Sequence, residues 1–172
     1  MNIRTYPTAL ALALDMIQRM DNRHMAKTLE QSLSVHCHWQ PMVESFHLFY
    51  KQPLKRNLPD TELSHMDDER LKMRLELIKE EVEELIEASG TRNVLEMADA
   101  IGDIIYVCVG LAIEMGIPIG AVLKEIHASN LTKADENGNP ILREDGKVLK
   151  GPNYMKPQLH KVLLLNTRRN ES

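Results

Sequence analysis

The sequence predicts an all-α fold, a helical bundle, and two observations support this. Composition is the first: the 172-residue chain is 43% hydrophobic, but only 4% is aromatic and methionines number 10. Such an aliphatic core suits packed helices better than a β-sandwich, because strands favour aromatic and β-branched residues. Periodicity is the second: apolar residues recur at helical spacing around 67–88, and 94–123 is almost entirely apolar or small.

Length and charge set the broad class. A chain of 172 residues with 27% charged residues is expected to form one globular domain, 1–172, with 1–40 as an N-terminal helical extension. The net charge of −4 argues against a nucleic-acid polymer as partner. Cys37 and Cys108 are far apart and predict no disulfide framework. No segment is predicted to cross a membrane, so we expect a cytoplasmic protein.

The first sixty residues predict two helices. One is expected within 8–34, and a shorter one at 43–50 with Val43, Phe46 and either Phe49 or Tyr50 facing inward. Between them, His36-Cys37-His38 with His47 nearby invites a metal interpretation. Adjacent His-Cys-His is not a recognised zinc spacing, so we expect an ordinary structural role for these side chains.

A strong amphipathic helix is predicted from Asp67 to Ala88, and the Ser89-Gly90 pair should end it. Its run of glutamates is mostly a solvated face, but Glu81 and Glu84 lie on the flank of the apolar stripe. Glu80 lies about 40° beyond Glu84 on the helix surface. These three carboxylates are therefore expected near the surface between helices.

The stretch 94–123 contains no lysine or arginine, yet it carries Glu96, Asp99 and Asp103. On a helix these three fall within an arc of about 60°. A helix that is apolar around most of its circumference is expected to be buried, where ionised carboxylates are costly. Three answers are open: raised pKa values, salt bridges from other helices, or hard divalent cations.

The remainder combines helix and turn signals. Gly116-Ile117-Pro118 should end the apolar helix, and another should begin at Ile119 and reach Ala128. Two short strand candidates at 141–143 and 148–150 flank a turn, and a last helix is expected at 157–165. This tail is basic at five positions: Lys133, Arg143, Lys147, Lys150 and Lys156.

These features favour divalent cations and a phosphate substrate. A short link between the helices at 67–88 and 94–115 makes them antiparallel, which places the two sets of carboxylates side by side. All-carboxylate sites suit Mg²⁺ or Mn²⁺, whereas a dinuclear iron site would need Glu-x-x-His pairs, which the two acidic helices at 67–88 and 94–115 lack. Neither GxxxxGK[ST] nor GxGxxG occurs, so P-loop and Rossmann sites are excluded at the level of motifs.

Two acidic motifs carry a family resemblance. EEVEEL at 80–85, followed by EMADAIGDIIYV at 96–107, resembles the all-α nucleoside triphosphate pyrophosphohydrolase superfamily, which includes the dimeric dUTPases. HASNLTK at 127–133 and REDGKVLKGPNY at 143–154 are similar to its MazG-like, phosphoribosyl-ATP pyrophosphohydrolase-like branch. ESFHLFYKQP at 44–53 is similar to the lead-in helix of that branch. The resemblance covers about residues 42–158.

The resemblance implies Mg²⁺-dependent hydrolysis of a nucleotide between its α- and β-phosphates, with Mn²⁺ as a possible substitute. Glu81, Glu84 and Asp103 match metal ligands of the family. Where the family has a glutamate, this chain has Ala100, so Asp99 or Glu96 must substitute. The residues expected to contact the nucleotide are Asn130, Lys133, Lys147, Lys150 and Tyr154, and 134–158 would be the segment that covers the substrate.

The family also implies a glutamate close to the metal-bound water, so the expected catalytic residues are Glu80, as base, and Glu81. A house-cleaning activity on a nucleotide such as dUTP is one expectation. The alternative is a non-catalytic helical module that binds nucleotide, which Ala100 favours. Because two helices cannot cover a third that is apolar all round, we also expect a homodimer or higher homo-oligomer that completes a four-helix core.

Overall fold

A computed structural model describes residues 39–55 and 66–169, with side chains as far as Leu164, together with Ala11, Asp15, Gln18 and Arg19. The helix expected within 8–34 therefore lies outside the described residues apart from those four. The His36-Cys37-His38 triplet also lies outside them.

The described part of the chain is helical, which confirms the all-α prediction. Its helices are α1 (Trp39–Phe49), α2 (Asp68–Thr91), α3 (Val94–Met115), α4 (Ile119–Leu131) and α5 (Leu159–Arg169). Within these residues the strand candidates form only one isolated antiparallel bridge, between Leu142 and Val148. None of the described helices is by itself long and apolar enough to cross a membrane; α3 and α4 pass that test only as a bent pair, by length and composition.

The described residues form two compact units. One contains 39–119 and 163–169, and the other contains 120–162 with the four N-terminal residues. The prediction of a single domain stays a prediction.

Capping explains where α2 and α3 begin and end. The Asp67 side chain accepts a hydrogen bond from the Arg70 amide at 2.7 Å and so caps α2. Helix α2 does not stop at Ser89-Gly90 as predicted. It continues to Thr91 because Arg92 takes the left-handed conformation (φ 54°) and donates its amide to carbonyls of the last turn. Asn93 then caps α3 at once, accepting from the Leu95 amide at 3.2 Å.

Helix α3 is buried at one end and open at the other. Its buried residues lie mainly from Val109 to Glu114, whereas Val94 and Leu95 are 75% and 82% exposed. Within one chain the described helices that pack closely against α3 are α1 and α2, and they leave its first turn exposed. Burial of the rest of α3 in a homodimer stays a prediction. Gly116, at φ 72°, ends the helix as predicted.

Helix α1 begins earlier than predicted and buries a different face. Val43 and His47 are each 2% exposed, which confirms that Val43 faces inward. Phe46, Phe49 and Tyr50 are 41%, 77% and 57% exposed, so the prediction that Phe46 and one of the other two face inward is wrong. His47 can be buried because its Nδ1 lies 2.7 Å from the Pro53 carbonyl oxygen, and this hydrogen bond satisfies one ring nitrogen. Val43 packs with Val109 and Ile113 to form the core cluster of this unit.

In the 120–162 unit, α4 is joined to the segment at 151–158 by side-chain hydrogen bonds. Ser129 Oγ donates to the Met155 carbonyl at 2.7 Å, and the Met155 amide donates to Thr132 Oγ1 at 2.9 Å. Glu125 accepts from the Gln158 amide at 2.7 Å. Between these contacts a hairpin turns at Gly146 (φ 85°), which agrees with the predicted irregular, hairpin-like tail.

Candidate functional site

The predicted acidic residues lie where α2 and α3 pack together. The two-residue link between the helices makes them antiparallel, so the second half of α2 faces the first half of α3. Glu81 is half-buried at this surface, and the other candidate carboxylates are exposed: Glu80, Glu84, Glu96, Asp99 and Asp103.

Glu81 is a candidate carboxylate whose pKa is raised by its burial and by the neighbouring charges. Partial burial raises the pKa of its carboxyl above the ordinary value, and the charges of Asp103, Glu84, Glu80 and Asp99, in decreasing order, raise it further. These four carboxylates therefore lie close enough to Glu81 to repel its ionised form. Glu96 is not among the charges that act on Glu81, and which of Asp99 and Glu96 replaces the absent glutamate stays a prediction.

Ala100, where the family has a glutamate, is 2% exposed. A longer acidic side chain at this position would have to leave the contact between helices or be buried within it.

The donor set fits a hard divalent cation in chemistry and in charge. Every charged group that shifts the Glu81 pKa is a carboxylate, and carboxylate oxygens are the ligands that Mg²⁺ prefers. In the part of the chain that the structure describes, no three acidic, histidine or cysteine side chains are already close enough to hold a metal ion. Rotation of exposed carboxylates, rather than a preformed cage, would therefore complete the coordination.

In the 120–162 unit the structure brings several of the predicted nucleotide-contacting residues together. Lys150 Nζ lies 4.6 Å from the centre of the Tyr154 ring, a cation–π contact. The Lys133 carbonyl accepts from the Gly151 amide at 2.9 Å, and its own amide donates to the Asn130 carbonyl at 3.2 Å. Hydrogen bonds and the cation–π contact thus hold together four of the five residues expected to contact the nucleotide: Asn130, Lys133, Lys150 and Tyr154.

Lys147, the fifth, lies in the hairpin turn. Its amide donates to Asp145 at 3.1 Å, and its carbonyl accepts from the Arg143 amide at 2.9 Å. Arg143, counted among the basic residues of the tail, is already paired: its guanidinium donates to both Asp145 oxygens, at 2.9 and 2.5 Å. Arg143 is therefore less suited than the lysines to meet a phosphate.

Sequence reasoning missed the most deeply buried charge of α3. Glu114 is 1% exposed and accepts two hydrogen bonds from Arg70 of α2, at 2.8 and 2.6 Å. Arg74, one turn further along α2, lies with its Nε 3.7 Å from Glu114 Oε1. The available signal was two arginines spaced i, i+4 on the helix that pairs with α3.

Comparisons with known proteins agree with the acidic motifs. Residues 49–130, just under half of the chain, match the family model for phosphoribosyl-ATP pyrophosphohydrolase, which confirms the predicted resemblance. The uncharacterized protein L479 of Acanthamoeba polyphaga mimivirus is 40% identical over 70 residues, which cover 41% of this chain and 26% of that protein. The match thus spans about a quarter of the length of that relative.

Among solved structures, a candidate NTP pyrophosphohydrolase from Exiguobacterium sp. 255-15 shares 18% sequence identity with this chain. The match covers 80% of this chain and 100% of that one, with a TM-score of 0.38, too low to support any argument about a shared fold.

Proposed function

We propose that this chain, whose residues 49–130 match the family model for phosphoribosyl-ATP pyrophosphohydrolase, is a Mg²⁺-dependent nucleotide pyrophosphohydrolase. It would cleave a nucleoside triphosphate or related nucleotide between the α- and β-phosphates, releasing a monophosphate and pyrophosphate. A surplus or non-canonical nucleotide such as dUTP is the proposed substrate class, and Mn²⁺ would substitute for Mg²⁺. Cytoplasmic location stays a prediction.

One observation carries the proposal: in the antiparallel pair of α2 and α3, the half of α2 that carries the half-buried Glu81 lies beside the half of α3 that carries Asp99 and Asp103. The raised pKa of Glu81 supports it, because the charges that raise this pKa are four carboxylates and no basic group is among them. Repulsion of this kind raises the free energy of the ionised site until a cation binds. We assign the metal to Glu81, Glu84, Asp103 and Asp99, with Glu96 as a weaker candidate. When bound, the metal would neutralise phosphate charge and lower the pKa of a coordinated water.

The remaining roles follow from the family resemblance and from charge. Glu80 neighbours Glu81 in the chain and is exposed, so its carboxylate is the proposed base. A triphosphate carries about four negative charges, more than one divalent cation offsets, so lysines are needed as well. We assign this part to Lys133, Lys147 and Lys150, and further contacts with the nucleotide to Asn130 and Tyr154.

The second candidate function is a non-catalytic module that binds nucleotide, favoured by Ala100 at the position of a family carboxylate. Release of pyrophosphate from a panel of nucleotides with Mg²⁺ separates the two. We expect wild type to release pyrophosphate from at least one nucleotide, and chelation of the metal to stop the reaction.

Variants at the carboxylates make the test specific. Glu81→Gln and Asp103→Asn should each lower kcat/KM by about 100-fold or more, since supporting side chains around a metal already cost 10- to 100-fold. Glu87→Gln is the matched control, because Glu87 is an exposed glutamate of the same helix and should leave activity unchanged. A wild type without turnover, or a Glu81→Gln, Asp103→Asn double variant of full activity, contradicts the enzyme proposal.

We also propose a homodimer, because apolar side chains of the 39–119 unit remain exposed in the single chain. Those with more than half of their surface exposed in α2 and α3 are Leu75, Ile86, Val94 and Leu95. Large apolar side chains left exposed on one helix pair would be covered in a dimer.

A further inference from the structure

A buried ionic cluster ties α1, α2 and α3 together at the end of the helix pair away from Glu81. Its members are Glu114, His47 and Arg74, exposed by 1%, 2% and 8%, with the partly exposed Arg70. A carboxylate this deep is costly unless it is paired and hydrogen-bonded.

Arg70 supplies the directional part of the pairing. Its Nε donates to Glu114 Oε2 at 2.8 Å and its Nη2 to Glu114 Oε1 at 2.6 Å, a two-pronged contact that restricts the orientation of the guanidinium against the carboxylate. The same Nη2 donates to Gln52 Oε1 at 2.8 Å. The loop after α1 is thereby joined to the cluster.

Arg74 lies inside the contact between α2 and α3. Its Nη2 donates to the Val107 carbonyl at 3.2 Å, and its Nε lies near Glu114 without a hydrogen-bond partner among the described residues. The space for its guanidinium exists because position 110 is glycine: a Cβ there would lie 1.9 Å from Arg74 Nη2. Arg74 of α2 must therefore lie over Gly110 and beside Glu114 of α3 at the same time.

Such a cluster is a poor way to gain stability alone. Replacing a buried ion pair by packed apolar residues is often neutral or stabilising. The charged groups and the space at Gly110 instead determine how the two helices align. A slip of one residue along a helix turns a side chain by about 100° and breaks the two-pronged contact.

The cluster lies on the same helix faces as the candidate metal ligands. Arg70 precedes Glu81 by eleven residues, and Asp103 precedes Glu114 by eleven, so the two separations are equal in length along the antiparallel helices and each returns to within about 20° of the same direction. Fixing Arg70 against Glu114 therefore fixes Glu81 against Asp103.

We propose that the Arg70–Glu114–Arg74 cluster is a positioning device that sets the register of α2 against α3, so that Glu81 and Glu84 face Asp99 and Asp103. The proposal rests on the proposed cation site. It assigns no contact with the substrate to these three residues, which act through the helices that carry the ligands.

The test is a titration of the full-length protein with Mn²⁺ alone, followed by calorimetry, beside thermal unfolding of the same samples. Glu114→Gln keeps the shape of the side chain but removes its charge. We expect this variant to bind Mn²⁺ about 10- to 100-fold more weakly at temperatures where it is folded. Arg70→Lys, at a partly exposed position, keeps the charge but loses the two-pronged contact, and should weaken binding less.

Glu76→Gln is the control, the same chemical change at an exposed ion pair of α2. It should bind Mn²⁺ as wild type does. A role in stability alone would lower the melting temperature of Glu114→Gln and leave the affinity of the folded protein unchanged, which would overturn the proposal. If Glu114→Gln does not fold, wild-type affinity in folded Arg70→Lys overturns it equally.

The outcome is separable from that of the enzyme proposal. A wild type that binds Mn²⁺ but releases no pyrophosphate contradicts the enzyme, while weaker binding by the folded variants still supports the positioning role. A wild type that releases pyrophosphate, with variants that bind Mn²⁺ equally well, supports the enzyme and overturns the positioning role.

Discussion

At the scale of single residues, Glu81 and Glu114 are carboxylates of one helix pair with opposite surroundings. Glu114 is neutralised by arginines of the same unit, whereas Glu81 is surrounded by carboxylates. Spacing along the helix was enough to predict the acidic group at Glu81, because a helix face follows from periodicity. It could not predict the burial of Glu114, which depends on the groups that α1 and α2 bring to it.

Gly151 is a residue whose identity is set by a close backbone approach. A Cβ at this position would lie 2.3 Å from the Ala134 carbonyl oxygen, and backbone cannot move aside as a flexible side chain can. We expect Gly151→Ala to destabilise the 120–162 unit by about 1–3 kcal/mol, the usual cost of overpacking. Hydrogen exchange at the Gly151 amide and its neighbours, with denaturant unfolding, measures this loss.

Gly90→Ala serves as the control for Gly151→Ala. Position 90 lies in α2 with open space where a Cβ would lie, so alanine should be neutral or stabilising there. Equal stability of the Gly151→Ala protein and the wild type would show that the approach of 151 to 134 is not tight.

At the scale of elements, the helices were predictable within a few residues, while the side of α1 that is buried was not. Phe46 is more hydrophobic than His47, but the Pro53 carbonyl satisfies the imidazole and the core accepts it. Helix α2 likewise passes through Gly90, because the arrangement of Arg92 and Asn93 decides where it ends. Local propensity was overruled by hydrogen bonds to residues outside the helix.

The hairpin at 141–149 should weaken in acid. The Arg143 guanidinium, and then the Lys147 amide, hold the pKa of Asp145 below its ordinary value of 3.8. A carboxyl with a lowered folded pKa contributes stability above the unfolded pKa and loses it as the pH falls through the folded value. We expect the amide resonance of Lys147 to shift, and its exchange protection to fall, as the pH drops below 3.8.

Two variants test whether the pH dependence of the Lys147 amide comes from the Asp145 carboxyl. Asp145→Asn should remove the pH dependence, and Glu144→Gln, at a neighbouring exposed carboxyl, should leave it in place. The assignment to Asp145 fails if the Lys147 amide titrates unchanged in Asp145→Asn.

At the scale of the whole molecule, apolar side chains at the α2–α3 link remain exposed to solvent in the single chain. Ile86, Val94 and Leu95 are 65%, 75% and 82% exposed. Sedimentation equilibrium should give a dimer or higher oligomer for wild type, and Leu95→Glu should shift it towards monomer, because a charge cannot be buried unpaired. Leu142→Glu, at an exposed apolar residue of the other unit, should not.

An active wild-type monomer would contradict the assembly. The sequence could predict that α3 needs cover on several sides, since its circumference is apolar. It could not predict how much of that cover the same chain supplies, because this depends on which turns of α3 the helices α1 and α2 reach.

The two-residue link between α2 and α3 also has a kinetic meaning. Residues that face each other near the link, such as Glu81 and Asp103, lie closer together in the chain than Arg70 and Glu114, which are 44 residues apart. Contacts of short separation cost less loop entropy and form faster. We therefore expect the turns of α2 and α3 next to the link to pair before the turns that carry Arg70 and Glu114.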